Sequence, residues 1–152
     1  MNQPRNIHGT GLLLGAHGVL LRGPSGAGKS VLALSLLDRW EGRGLEALLV
    51  ADDRIDLSLE AGELIMRAPP NLAGLIELRG RGIVKRPYRS PVRLDLVIDL
   101  VPELVRMLED DALQTVIEGV MLARAPVPVA GVVNVWHQML LVSEAMAALV
   151  QT

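Results

Sequence analysis

Gly23-Pro24-Ser25-Gly26-Ala27-Gly28-Lys29-Ser30 is the stretch on which the reading of this chain turns. It satisfies the spacing G-x-x-x-x-G-K-[S/T], and its flanks suit it. The apolar run Val19 to Leu21 reads as a strand leading in. From Ser30 to Trp40, apolar residues recur at three and four positions, as on a helix leading out. Glycines belong here because consecutive backbone N–H groups must curl around phosphate oxygens with no Cβ in the way, at the positive end of the next helix. Lys29 supplies a point charge for the β and γ phosphates, and the Ser30 hydroxyl can ligate Mg²⁺. The chain has two lysines, Lys29 and Lys85, against thirteen arginines, so a lysine at this position is unlike filler. The plainer reading is a glycine-rich turn capping a helix at Ser25 or Ser30.

Working outward, Leu12 to Leu14 and Val19 to Leu21 suggest a strand pair around Gly15 to Gly18. The helix after the loop is apolar over most of its girth and ends at Gly42 and Gly44. Leu45 to Val50 then reads as a buried strand running into Asp52 and Asp53. Ile55 to Glu60 and Leu64 to Ala68 form a predicted hairpin, stopped by Pro69 and Pro70. Gly74, Gly80, Gly82 and Pro87 break the pattern between Leu72 and Pro91, so that stretch is expected to be a mobile loop. Val92 to Leu100 alternates like a strand with one wet face, and Pro102 with Glu103 suits the first turn of a short helix ending near Leu108. Gln114 to Ala123 is β-rich, and Val135 to Val150 has helical spacing. The expectation is one α/β domain over 1–152, of P-loop kinase type, with a mixed, largely buried sheet flanked by helices.

Composition narrows the function. The chain has 152 residues, half of them hydrophobic and 21% charged, which suits one packed domain and excludes a disordered chain. A net charge of −2 provides no chain-wide pull toward nucleic acid. Trp40, Tyr88 and Trp136 are the only aromatics, too few for base-stacking platforms. The absence of cysteine removes disulfides, thiolate nucleophiles and thiolate metal sites. The start lacks a signal-peptide pattern, and no apolar run approaches the roughly 18 residues of a membrane span. A cytoplasmic protein with neither nucleic acid nor membrane as partner is expected.

A triphosphate site that does chemistry also needs an acid to hold the metal or accept a proton. Asp52 and Asp53 close an apolar strand, the edge where open α/β sheets bind ligands. On an extended segment adjacent carboxylates point to opposite sides, so one can face a metal and the other an incoming hydroxyl. Glu77 is a candidate second metal ligand. The run from Arg79 to Arg93 holds six basic residues and no acidic one, which makes Arg79, Arg81, Lys85 and Arg86 candidates for phosphate or partner contact. Most such runs are simply solvated surface. His8, His17 and His137 are individually weak signals, His137 the weakest.

Together these residues resemble the catalytic domain of HPr kinase/phosphorylase, the bacterial enzyme that phosphorylates a serine of the phosphocarrier protein HPr. The segments that carry the likeness are Ile7-His8-Gly9, the loop Gly23 to Ser30, Leu49-Val50-Ala51-Asp52-Asp53, and Ile76-Glu77-Leu78-Arg79-Gly80-Arg81-Gly82-Ile83. Their order and spacing agree from about residue 7 to 85, with a thinner match beyond. The resemblance implies a catalytic histidine at His8, a general base at Asp53, a phosphate lysine at Lys29, and magnesium ligands at Ser30 and Glu77 supported by Asp52. It also implies a catalytic arginine at Arg106, ATP and Mg²⁺ as cofactors, an HPr-like substrate, regulation of the sugar phosphotransferase system, and a homo-oligomer. Full-length members of that family carry an additional N-terminal domain, so the likeness is to a truncated form. The family's dephosphorylation loop, Pro-Val-Arg-Pro-Gly-Arg, stands here as Pro126-Val127-Pro128-Val129-Ala130-Gly131, without either arginine. Kinase activity with weak or absent phosphorylase activity is therefore expected. The alternatives are a small-molecule P-loop kinase and a nucleotide-sensing regulator that transfers nothing.

Overall fold

Aliphatic residues run almost unbroken through the segments on either side of the glycine loop, a pattern that fits strands covered on both faces. In a computed structural model, which describes residues 4–150, those segments are strands. In chain order the elements are β1 (Arg5–His8), β2 (Thr10–Leu14), β3 (His17–Arg22), α1 (Lys29–Gly42), β4 (Ala47–Ala51), β5 (Arg54–Glu60), β6 (Glu63–Arg67), β7 (Leu75–Leu78), β8 (Gly82–Lys85), β9 (Val92–Val101), β10 (Gln114–Ile117), β11 (Val120–Pro128) and α2 (Val135–Val150). Single 3₁₀ turns occupy Pro70–Leu72 and Asp110–Leu113.

Nine strands form one mixed sheet, in which β9 runs parallel to both β3 and β11. β2 lies antiparallel between β3 and β4, and β10 folds back on β11. The antiparallel strip β1-β5-β6 joins through Ile65↔Arg93 and Met66↔Val92. Side chains alternate between two cores. Leu12, Leu14, Val19, Leu21 and Ile98 pack beneath α1 and α2. Leu13, Leu20 and Val97 face the other way, onto Ile55, Leu57, Leu64 and Met66 of the antiparallel strip. Each fully buried large aliphatic side chain contributes about 1.5–3 kcal/mol, so the alternation fixes the register firmly. One glycine is required by contact: a Cβ on Gly18 would lie 1.9 Å from the Arg93 carbonyl oxygen on neighbouring β9. Asn134 begins α2, its Oδ1 accepting from His137 N at 3.0 Å.

The mixed α/β arrangement meets the expectation from sequence, as do the strand pair before the loop, the helix after it and the hairpin at Ala61 and Gly62. Two local readings are corrected. Residues 72–91 are not a mobile loop: β7 and β8 form a separate two-stranded hairpin. Its glycines make the turn instead of breaking a strand, Gly80 and Gly82 standing at φ +94° and +110°. The predicted helix from Pro102 to Leu108 is absent, and the chain there only bends. A helix so short forms only when it buries a face, and Leu104, Val105, Met107 and Leu108 all remain exposed. The chain also enters the sheet earlier than expected, since Arg5 already pairs with Leu57. The outermost residues of the expected 1–152 domain lie outside the described ones.

Candidate active site

β3 ends at Arg22 and the glycine loop follows at once, so the sheet aims the loop at the N-terminus of α1. Gly28 caps that helix at φ +92°, with no side chain bonding to the first-turn N–H groups. Those donors stay available for an anion at the positive helix end. Lys29 folds back over the loop: its Nζ donates to the carbonyl oxygens of Gly23 at 2.7 Å and Pro24 at 3.1 Å. Burial lowers its pKa from the usual lysine value, against the opposing pull of Asp53 and then Asp52. An ammonium so placed has given up much of its water and gains more from a phosphate than an exposed one would.

The acidic side is built from β4. Asp52 accepts hydrogen bonds from Thr10 Oγ1 at 2.8 Å, from Ser30 Oγ at 3.2 Å to each carboxylate oxygen, and from Glu77 N at 3.2 Å. Asp53 does not continue the strand as the extended geometry assumed: its φ is +71°, and Arg54 N donates to the Asp52 carbonyl at 2.8 Å. This tight γ-turn is a strained conformation that short polar residues tolerate best. Its effect is to send neighbouring carboxylates to different partners, Asp52 to the Ser30 hydroxyl and Asp53 to His8, whose Nε2 lies 3.0 Å from Asp53 Oδ1. Gly9 N donates to the Asp53 carbonyl at 3.0 Å and holds the two segments together.

These groups line one cleft of about 460 Å³. His8, Ser25, Gly26, Gly28, Lys29, Ser30, Asp52, Asp53, Glu77 and Arg79 all reach it. Val31, Leu72, Leu75, Ile76 and Ile83 supply an apolar wall. Gly23, Pro24 and Ala27 belong to the loop but do not line the cleft. Arg81, Lys85 and Arg106 do not line the cleft; all three are exposed, and Arg106 belongs to the segment expected to be helical. No cluster of three or more His, Asp or Glu side chains among the described residues is arranged to hold a metal unaided. The Ser30 hydroxyl and Asp52 carboxylate, with Glu77 on the same cleft, are nevertheless oxygen donors of the kind Mg²⁺ takes alongside phosphate oxygens and water.

Sequence reasoning passed over Thr10, whose meaning depends on a contact forty-two positions away. It also missed an ionic cluster at the foot of the loop. Arg22 forks onto Asp99 at 2.8 and 2.9 Å, and Arg124 Nε donates to the same carboxylate at 2.6 Å. Burial alone would raise the Asp99 pKa, but hydrogen bonds from Arg22 and then Arg124 outweigh it and hold the carboxyl below its ordinary range. The polar positions in these apolar strands were visible, but their pairing across three parallel strands was not.

Residues 1–148 match the family model described as the HPr Serine kinase C-terminal domain. The chain belongs to this family. Among the relatives of this chain, the HPr kinase/phosphorylase of Cupriavidus necator is 40% identical over 111 residues, covering 70% of this chain and 32% of the relative. That of Bordetella pertussis is 39% identical over 103 residues, covering 62% and 32%. The chain thus spans about a third of the length of the curated relatives it matches. The solved structure of the Hpr(Ser) kinase/phosphatase from Coxiella burnetii superposes with a TM-score of 0.75 at 28% identity, covering 97% of this chain and 92% of that one.

Proposed function

We propose that this domain transfers the γ-phosphoryl group of ATP to a seryl hydroxyl of an HPr-type phosphocarrier protein, and so regulates the sugar phosphotransferase system and carbon metabolism. One observation carries the reading: the phosphate loop with Lys29, the Ser30–Asp52 pair and the His8–Asp53 pair open onto the same cleft. The names of the relatives support the choice of a protein substrate.

In this reading the loop N–H groups and Lys29 grip the polyphosphate. Asp53 takes the proton of the seryl hydroxyl as its oxygen bonds to the γ-phosphorus and the bond to the β,γ-bridging oxygen breaks. His8 holds Asp53 Oδ1 and fixes the direction of the remaining lone pairs. Bound Mg²⁺ would neutralise charge on the phosphates, held through Ser30 and Asp52 with Glu77 nearby. Arg79 supplies positive charge at the rim, and Arg81 with Lys85 lies beyond it on the same hairpin, suited to contact an acidic partner surface. Arg106 enters through the resemblance alone. The reading places the protein in the cytoplasm, where ATP is supplied. No helix among the described residues is long and apolar enough to cross a membrane. Exposed Leu104, Val105 and Met107 favour a homo-oligomer.

Weak or absent phosphorylase activity belongs to the same proposal. A Cβ on Gly28 would lie 3.2 Å from that of Ala130, so the segment matching the family's dephosphorylation loop rests against the phosphate loop, and it brings no cation there. An attacking inorganic phosphate has less to hold it. To test the main proposal, the protein is incubated with labelled ATP, Mg²⁺ and HPr, and the phosphate is located by mass spectrometry. Label on a single serine is expected. Tight nucleotide binding with no transfer to any carrier protein would leave a sensor instead.

A further inference from the structure

We infer that Thr10 is a positioning residue for the cation end of the cleft: its buried hydroxyl fixes the Asp52 carboxylate, and Asp52 in turn directs the Ser30 hydroxyl. The inference rests on the function proposed above only as far as nucleotide and divalent-cation binding, so no protein substrate is needed to test it.

Thr10 opens β2 and is fully buried, the first residue of a run otherwise given over to glycine and leucine. Its hydroxyl carries one proton and donates it to Asp52 Oδ1 at 2.8 Å, the shortest of the contacts that carboxylate receives. On the other oxygen, the backbone N–H of Glu77 donates to Oδ2 at 3.2 Å from the β7–β8 hairpin. Asp52 is thus pinned at both oxygens by donors from opposite sides, one of them inside the core where hydrogen bonds are strongest. Ser30 Oγ lies 3.2 Å from each oxygen, midway between the pins.

The consequence follows from what a hydroxyl is. It has one proton and two lone pairs, and a proton drawn to Asp52 leaves the lone pairs of Ser30 for the cleft. Ser30 can then accept a hard cation without first turning its own proton away. If Asp52 loses the Thr10 bond, its carboxylate can rotate about the Cβ–Cγ bond, and the direction of the Ser30 proton is no longer fixed. Threonine suits the task better than serine, because its β-branch restricts χ1 and holds the oxygen in place. The role is indirect, since Thr10 does not line the cleft. Ligands oriented in this way by a second group typically lose about 10- to 100-fold in metal affinity when that group is removed.

The test measures Mn²⁺ and ADP binding by calorimetry and by the spin-resonance signal of free Mn²⁺, with melting temperature recorded alongside. Thr10→Val keeps the shape and removes the hydroxyl. It should weaken Mn²⁺ binding to the ADP complex by about 10-fold or more, while ADP affinity in the presence of a chelator changes less than about 2-fold. Thr10→Ser should restore Mn²⁺ affinity to within about 3-fold of the parent. Should Thr10→Val fail to fold, Thr10→Ala against Thr10→Ser decides the same question, since the two differ by the oxygen alone. Unchanged Mn²⁺ affinity in the hydroxyl-free variant overturns the inference, whatever happens to the melting temperature. Equal losses of Mn²⁺ and ADP affinity also overturn it, because they mark a general loosening. If the parent protein binds ADP but no Mn²⁺, the assignment of the cation end itself is wrong and the inference falls with it.

Discussion

Asp53→Asn removes a proton acceptor while leaving the turn that presents it. Asp53 stands at φ +71° with its side chain 63% exposed, so no buried charge is uncovered by the change, and asparagine accepts a left-handed backbone as readily as aspartate. Its contacts are a half-exposed pair with His8 and a 4.0 Å approach to Arg54, together worth no more than about 1 kcal/mol. Folding stability should therefore move by less than about 0.5–1 kcal/mol. Catalysis should move far more: removing the base costs about 10²- to 10⁴-fold in kcat, or about 3–5 kcal/mol of barrier. Asp53→Ala gives the matching control, because alanine in this conformation costs about a further 1–2 kcal/mol and about 2–8 °C in melting temperature. The assay is phosphoryl transfer to HPr under saturating ATP, with nucleotide affinity measured separately. Asparagine should lower turnover by that factor at near-parental stability, and alanine should lower both. An Asp53→Asn protein with more than a tenth of the parent kcat would refute the assignment of Asp53 as base.

Three further outcomes are expected. Asp99→Asn strands Arg22 and Arg124 and should cost about 3 kcal/mol at pH 7, or about 6–12 °C. The native carboxyl is held below its ordinary range, so its contribution is complete above about pH 4 and fades as pH falls through the lower folded value. Denaturant melts at pH 7 and pH 2 should show the gap narrowing in acid, and an equal gap at both would count against the cluster. Hydrogen bonds from Arg67 and Ser58 hold Glu60 down to about 2, so its stabilising effect is complete only above its ordinary value of 4.5 and is lost as pH falls from there toward 2. In a carboxyl NMR titration, Arg67→Ala should return Glu60 toward 4.5, and a parent midpoint already at 4.5 would dismiss the interaction. Serine-phosphorylated HPr with inorganic phosphate should release pyrophosphate about 10²-fold more slowly than the forward transfer proceeds, and rapid release would contradict the reading of the Pro126–Gly131 segment.

What the sequence made legible was local or periodic. The glycine loop, the strand before it and the helix after it are carried by contiguous residues, and Asp52 with Asp53 followed an apolar strand that could be recognised alone. What it concealed depended on partners distant in the chain. The glycines of 80 and 82 looked like breaks because their role in a hairpin turn appears only once β7 has found β8. Pro102 and Glu103 suit the start of a helix, but Leu104, Val105, Met107 and Leu108 stay exposed, so that local signal went unsupported by packing. The His8–Asp53 pair, the Thr10 contact and the Arg22–Asp99–Arg124 cluster each join residues far apart in the chain, and no spacing rule encodes them. Arg106 was suggested by likeness alone, and it is exposed and outside the cleft.

The β7–β8 hairpin is a sheet of its own, closed by the bond from Arg86 N to the Gly74 carbonyl and anchored by buried Ile76 and by the bond from Leu49 N to the Pro87 carbonyl. Its outer positions Arg81 and Lys85 belong to neither core and do not line the cleft. If these positions meet the carrier as proposed, partner preference can drift there without taxing the stability of the body beneath. Grafting the tip from a relative onto this chain accordingly tests, at little cost in stability, whether the hairpin selects the proposed partner.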